Sequence, residues 1–350
     1  MDVYANALVD EMSSRLSRQM CVDTVYIGGG TPSLLPPVLL RHIMAALQTR
    51  CLLSDGAEVT SEANPGTLHP DWLKAAVESG VNRISMGMQA AQPELLRTLG
   101  RIHNQRDVEQ SVRLVRQAGI ANLNLDLMFG LPGQTRDMWR ETLHTALALE
   151  PEHLSCYGLI PEEGTPLKAD LDAGRLTLLH EDDERRMYDD TLEILSRAGY
   201  LQYEISNFAK PGHACRHNIG YWTGVPYVGI GASAASYMKE KDGMTRWSNP
   251  ADIPSYLNMV HESAWEAPER TVLTIEDERY ETLMLGLRLT LGVSADDFLL
   301  RHGISLDEYR GKTLRRLQEQ GLLTFREGRW RLTRRGMDVQ NAVLVELMDD

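Results

Sequence analysis

Cysteine is scarce in this chain: four in 350 residues, at positions 21, 51, 156 and 215. No two lie within a few residues of each other. The absence of any CxxC excludes a local zinc or dithiol redox motif, and scattered cysteines of this kind are expected reduced and structural. Long hydrophobic runs are also absent. None reaches the roughly 18 residues that suggest a membrane span. The N-terminal stretch MDVYANALVDEMSSRLSRQM lacks the basic and apolar regions of a signal peptide, so a cytoplasmic location is expected. Basic residues are in deficit. With 36 Lys and Arg against 49 Asp and Glu, the net charge is −13, a poor basis for generic nucleic-acid binding, which needs a basic face.

What is present reads as an α/β protein of two or three domains. Strands are expected at Val22–Ile27, Ala57–Ser61, Arg83–Met88, Leu123–Met128 and Leu154–Tyr157. Between them run helical patterns at Pro37–Thr49, Pro70–Ser79, Arg106–Ala118 and Arg136–Leu149, two of them followed by Gly80 and Gly119. Strands separated by helices require parallel crossovers, hence a parallel sheet or β/α barrel. The chain opens on a helix, so the barrel reads as entered after its first strand. That would leave Val22–Ile27 as an edge, open unless the opening helix covers it. A long charged helix follows at Glu181–Ala198, then an irregular aromatic stretch from Tyr203 to Tyr237. From about Glu276 the pattern is mainly helical. It ends in a strand, a tight turn at Glu327-Gly328 and a second strand, as in a small winged-helix module. The expected division is a partial barrel at 1–166, a barrel-associated region at 167–265 and a winged-helix-like domain at 266–350.

Ligand-binding residues of β/α barrels gather at the C-terminal ends of the strands, and the polar oddities of this chain fall there. Gly28–Thr31, in GGGTPS, follows the first strand, where glycine lets backbone approach a ligand. Glu62-Ala63-Asn64-Pro65 follows the second. Gln89 ends the next, with Arg101 shortly beyond. Asp126 interrupts the apolar LNLDLMFGLPGQ, and Ile160 follows the last strand. Each has a plain alternative as a capping or buried hydrogen-bonding group. Together, carboxylates, an amide, a guanidinium and glycine backbone suit a nucleoside joined to an amino acid.

Seven motifs then share one resemblance: GGGTPS, EANPGT, NRISMGMQ, NLDLMFGLPGQT, HLSCYGLIPEEGTPL, YEISNFAKPGHACRHNIGYW and VGIGASAASY. They resemble the radical SAM proteins around oxygen-independent coproporphyrinogen III oxidase, and most closely the HemW-like heme-chaperone branch, from about residue 3 to the C-terminus. The resemblance implies S-adenosylmethionine (SAM) contacts at Gly29, Gly30, Thr31, Glu62, Gln89, Arg101, Asp126 and Ile160. It implies heme binding at HNxxYW, which stands here as His217, Asn218, Tyr221 and Trp222. His217 would be a ligand to heme iron, with Cys215 in reserve. From spacing alone, His217 bonded to backbone and the two aromatics in a core is the preferred reading.

The resemblance also implies a CxxxCxxC motif holding a [4Fe–4S] cluster, just upstream of the first helix. This chain begins beyond that position. None of its four cysteines can stand in, because three ligands to one cluster need a compact loop. The expectation is a radical SAM barrel without its first strand and cluster loop, hence no radical chemistry and no enzyme in the chain as written. A true start further upstream is preferred over a natural remnant as the explanation. The partners implied are heme and an acceptor hemoprotein, with a membrane-associated respiratory acceptor among the candidates. The alternative is a coproporphyrinogen III dehydrogenase of porphyrin biosynthesis, or an inactive truncated remnant. The arginines at 315, 316, 326, 329, 331, 334 and 335 would suit a DNA-binding wing. With the acidic balance of the whole chain, a protein-contact or lid module is preferred.

Overall fold

Five strands of the computed structural model, which describes residues 1–266 and 269–348, are parallel neighbours in chain order. They are β1 (Cys21–Ile27), β2 (Leu52–Ala63), β3 (Arg83–Gln89), β4 (Asn122–Phe129) and β5 (His153–Gly158). Two short strands, β6 (Leu201–Gln202) and β7 (Asn207–Ala209), finish the sheet, with β7 antiparallel to β5 and to β6. The seven-stranded sheet curls into a half-barrel. Helices Pro37–Arg50, Pro70–Glu78, Gln105–Gln117 and Arg136–Leu147 make the crossovers. Their starts follow local chemistry: Asn104 and Asp107 form a reciprocal capping box, and the Thr135 hydroxyl accepts from the Met138 N–H.

The strands alternate more sharply than a parallel sheet covered on both faces would. Ile84, Met86 and Met88 of β3, Leu123, Leu125 and Leu127 of β4, and Leu154 and Cys156 of β5 belong to one apolar core. Trp72, Leu73, Val112, Val115, Trp139 and Leu143 of the crossover helices complete it. The intervening residues, Arg83, Ser85, Asn124, Asp126, Ser155 and Tyr157, line a cavity on the concave face. The half-barrel is oily outside, beneath its helices, and polar within.

β1 lies at the edge of the sheet, as expected, but the opening helix does not cover it. That helix, Asp2–Arg15, packs against Pro37–Arg50 and Ile253–His261. Its Glu11, 0% exposed, accepts from Arg15 Nε at 2.8 Å, Gly231 N at 2.8 Å, Asn249 Nδ2 at 2.7 Å and the Tyr256 hydroxyl at 2.8 Å. Helix Arg216–Trp222 packs beside β1 instead. The aromatic stretch is more regular than its composition suggests. It leads into the hairpin Ala235–Glu240/Gly243–Ser248 and the helix Ile253–His261.

The C-terminal part has its own core, including Leu283, Phe298, Leu314, Leu317, Leu332 and Val343. Helices Ala295–His302 and Leu306–Glu319 precede the expected hairpin Leu323–Arg326/Arg329–Leu332, whose turn residues Glu327 and Gly328 have φ of 51° and 70°. Several arginines of this region are paired: Arg315 with Asp307, Arg316 with Glu346 at 2.9 Å, Arg331 with Glu327 at 2.8 Å and Arg334 with Asp189 at 2.6 Å. Residues 267–268, beside the expected start of this domain, lie outside the described residues, as do 349–350.

Candidate functional site

The five parallel strands place their C-terminal ends on one rim, where the residues singled out from the sequence gather. After β1 the chain turns through Gly29 and Gly30, at φ of 86° and 63°, a left-handed backbone that strains other residues. A Cβ on either would meet nothing within 4 Å, so the space beside this backbone is open. Gly28 differs: a Cβ there would stand 2.9 Å from a Tyr26 ring carbon and 3.1 Å from the Glu62 carboxyl. Glu62, near the end of β2, accepts from the Gly29 N–H at 3.1 Å and the Tyr26 hydroxyl at 3.0 Å. Asn64 Nδ2 donates to the Thr31 hydroxyl at 3.0 Å. At the end of β3, Gln89 sits at φ of 63° despite its side chain and accepts from the Tyr157 hydroxyl at 3.1 Å. Burial raises the Tyr157 phenol pKa, with Asp126 adding to the rise and Gln89 and Arg101 opposing it. Ile160 stands at the edge, 81% exposed.

Below the rim runs a buried chain of hydrogen bonds that single-residue reading of the sequence does not find. Asn124 is its hub. Its Nδ2 donates to Asp126 Oδ1 at 2.8 Å and to Ser85 Oγ at 2.7 Å. That fixes its carbonyl towards His153 Nδ1, at 2.7 Å, and Ser155 Oγ, at 3.2 Å. His153 Nδ1 must then carry the proton, and Nε2 accepts from the Tyr203 hydroxyl at 2.9 Å. Burial holds this imidazole neutral, well below its ordinary pKa, and pushes the Asp126 carboxyl pKa up. The signal available in the sequence is the period-two run of polar residues: Arg83, Ser85 and Gly87; Asn124 and Asp126; His153, Ser155 and Tyr157.

The HNxxYW segment forms the helix Arg216–Trp222, set against β1 and β2. Glu58, buried on β2, accepts from the Arg216 and His217 N–H groups at 3.0 Å each, closing the helix start. Thr24, register partner of Glu58 on β1, lies 2.8 Å from His217 Nδ1. His217 stacks on Tyr26 at 5.1 Å, and its Nε2 lies 3.0 Å from the Tyr221 hydroxyl. So His217 bonds to side chains through both ring nitrogens, whereas spacing alone suggested a backbone partner. Burial lowers its pKa, keeping the ring neutral, the form that ligates metal. Cys215 is different: its thiol, 1% exposed, donates to Glu58 at 3.4 Å, and burial pushes its pKa up to about 11. Asn218 lines the same concave cavity as Asp126. Arg288 lies over the Trp222 ring at 4.3 Å and pairs with Glu204 at 3.2 Å.

The rim offers acceptors, an amide and open glycine backbone, a donor set that fits a nucleoside with an amino-acid arm. Among the described residues no three of His, Cys, Asp and Glu converge on a point that could hold a metal ion, and no helix is long and apolar enough to cross a membrane.

Residues 5–146 match the Radical SAM superfamily, and residues 273–339 match the HemN C-terminal domain. Among curated proteins, the heme chaperone HemW of Bacillus subtilis (strain 168) is 39% identical over 347 residues, covering 98% of this chain and 90% of that protein. The heme chaperone HemW of Escherichia coli (strain K12) is 34% identical, covering 98% and 89%. The mitochondrial radical S-adenosyl methionine domain-containing protein 1 of Danio rerio is 31% identical, covering 88% and 70%. In fold, the chain is similar to the coproporphyrinogen III oxidase HemN of Escherichia coli, with a TM-score of 0.82 over 99% of this chain and 83% of that one, at 22% identity.

Proposed function

This chain belongs to the HemW family of radical SAM proteins, and from that premise we propose that it binds heme at the HNxxYW helix and passes it to an acceptor hemoprotein in the cytoplasm. The observation that carries the reading is His217. Its imidazole is kept neutral by burial, fixed at Nδ1 by Thr24 and supported from below by Tyr26. When Nδ1 donates to Thr24, Nε2 is a bare acceptor whose partner is the Tyr221 hydroxyl, and heme iron would take that hydroxyl's place. A hydrogen bond that must be exchanged for the iron lowers the net gain on binding, which favours release to an acceptor. Cys215, buried and protonated, does not compete for the metal.

The rim would take SAM. Gly29, Gly30 and Thr31 would offer backbone to its amino-acid arm, while Glu62, Gln89 and Asp126 would accept from its hydroxyl and amine donors. Arg101 and Ile160 would flank it.

The carrier role is tested by loading the chain with hemin, removing the excess, and mixing it with a respiratory apo-hemoprotein or with apomyoglobin. A carrier fills the first at a rate that rises with acceptor concentration, because contact speeds release. Apomyoglobin, which collects only heme already released, fills at a constant rate. Equal, concentration-independent rates for both acceptors would reduce the chain to a heme store.

A further inference from the structure

Arg83 opens β3 from inside the half-barrel, 2% exposed, and its Nε has no hydrogen-bond partner among the described residues. A buried cation with an unsatisfied donor is costly, and such a group in a native structure marks a functional role or a bound water or ion. Arg83 borders the concave cavity, about 200 Å³ in volume, beside Ser85, Asn124, Ser155 and Asn218. The acid in that cavity, Asp126, stands nearer the rim, in register with Gly87 rather than with Arg83, and accepts from Asn124 at 2.8 Å and from Ser85 at 3.3 Å. A guanidinium set among hydroxyls and amides matches a carboxylate, which it grips through two parallel hydrogen bonds.

The size of the cavity says which part of a ligand enters. Pockets that enclose a whole drug-sized ligand measure roughly 300–1,000 Å³, so this one suits a side arm. Its position says which ligand. Asn218, next to His217 in the chain, borders it, and so does Tyr26, the ring beneath His217. Arg83 is the register partner of Thr60, two residues along β2 from Glu58, which caps the His217 helix. A porphyrin held by iron at His217 would therefore have an edge at the cavity mouth, and heme carries two acid arms on one edge.

We propose that a propionate of the bound porphyrin enters this cavity and is held by Arg83, so that heme is gripped at two points, iron on His217 and carboxylate on Arg83. The proposal rests on the heme reading above and adds a positioning contact to it. The two-point grip sets which way round the porphyrin sits.

The test compares hemin with hemin dimethyl ester, whose acid arms are blocked, by Soret titration of the wild type, Arg83→Met and Arg83→Lys. The wild type should bind hemin about 10- to 100-fold more tightly than the ester. Arg83→Met should bind both with the affinity of the ester, and Arg83→Lys should fall between, since a lysine keeps the charge and loses the fork. A wild type indifferent to esterification, or an Arg83→Met that keeps the preference, overturns the proposal and leaves the heme reading standing. No saturable shift with either compound overturns both. Should Arg83→Met fail to fold, the wild-type comparison and Arg83→Lys decide. Sodium propionate supplies the other source of the same chemistry. If it raises the thermal midpoint of the wild type but not of Arg83→Met, while hemin and its ester bind alike, the cavity serves a free small acid and the porphyrin assignment is wrong.

Discussion

Glu58 reaches from β2 to the first two N–H groups of the HNxxYW helix and to the Cys215 thiol. One buried carboxylate thus holds the helix against the sheet, so His217 has its place before any ligand arrives. Glu58→Ala would leave those donors unsatisfied. Each charge-assisted hydrogen bond is worth about 1.5–3 kcal/mol, and with water replacing part of the loss the variant should be destabilised by about 1–3 kcal/mol in urea unfolding. A value within about 0.5 kcal/mol of the wild type would mean that the helix is held by other contacts. At this scale the sequence was only partly readable. HNxxYW was found through its resemblance to known motifs, but nothing local marks Glu58, some 160 positions earlier, as its cap.

The glycine turn after β1 shows how one element can hold two kinds of demand. Gly28 has no room for a side chain, whereas Gly29 has room but a left-handed backbone. Gly29→Ala should cost about 1–2 kcal/mol, the usual strain of that conformation. Gly28→Ala should cost more, because its Cβ would displace Tyr26 and Glu62 and with them the ring under His217. Thermal unfolding of the two variants gives the order, and a reversed order would contradict the geometry. Most of the elements were legible: the five parallel strands of the half-barrel and its four crossover helices follow from their apolar periods and caps, as does the C-terminal hairpin, whereas the short β6 and β7 went unread. The polar interior was legible in principle and was read only at Asp126. Asn124 and His153 carry the same period-two signal on neighbouring strands, but their meeting depends on strand register, which a single sequence does not state. The hairpin Ala235–Ser248 went unread because its aromatic and charged residues lack a clean alternation.

Across the whole molecule, the buried carboxylates Glu11 and Glu204 tie distant segments together. Glu11 joins the opening helix to residues 231, 249 and 256, and Arg288 joins the C-terminal part to Glu204 and Trp222. The buried network also sets a pH dependence. Burial holds the His153 pKa below its ordinary value. Below about pH 6.5 the unfolded chain takes a proton that the folded one refuses, so this contribution to stability is complete above that pH and fades as the pH falls. The wild type should therefore lose more thermal stability between pH 7.5 and pH 5 than His153→Gln, which has no such proton to refuse. Equal losses would mean that His153 charges freely in the folded protein.

The claim on which the rest depends is that His217 presents a neutral nitrogen to heme iron. It is tested most directly by a Soret titration of this chain with hemin beside His217→Ala. The account predicts a saturable, near-stoichiometric shift in the wild type that is lost or weakened at least about tenfold in the variant, the equivalent of about 1.4 kcal/mol. Full affinity with an unchanged Soret band in His217→Ala would contradict it.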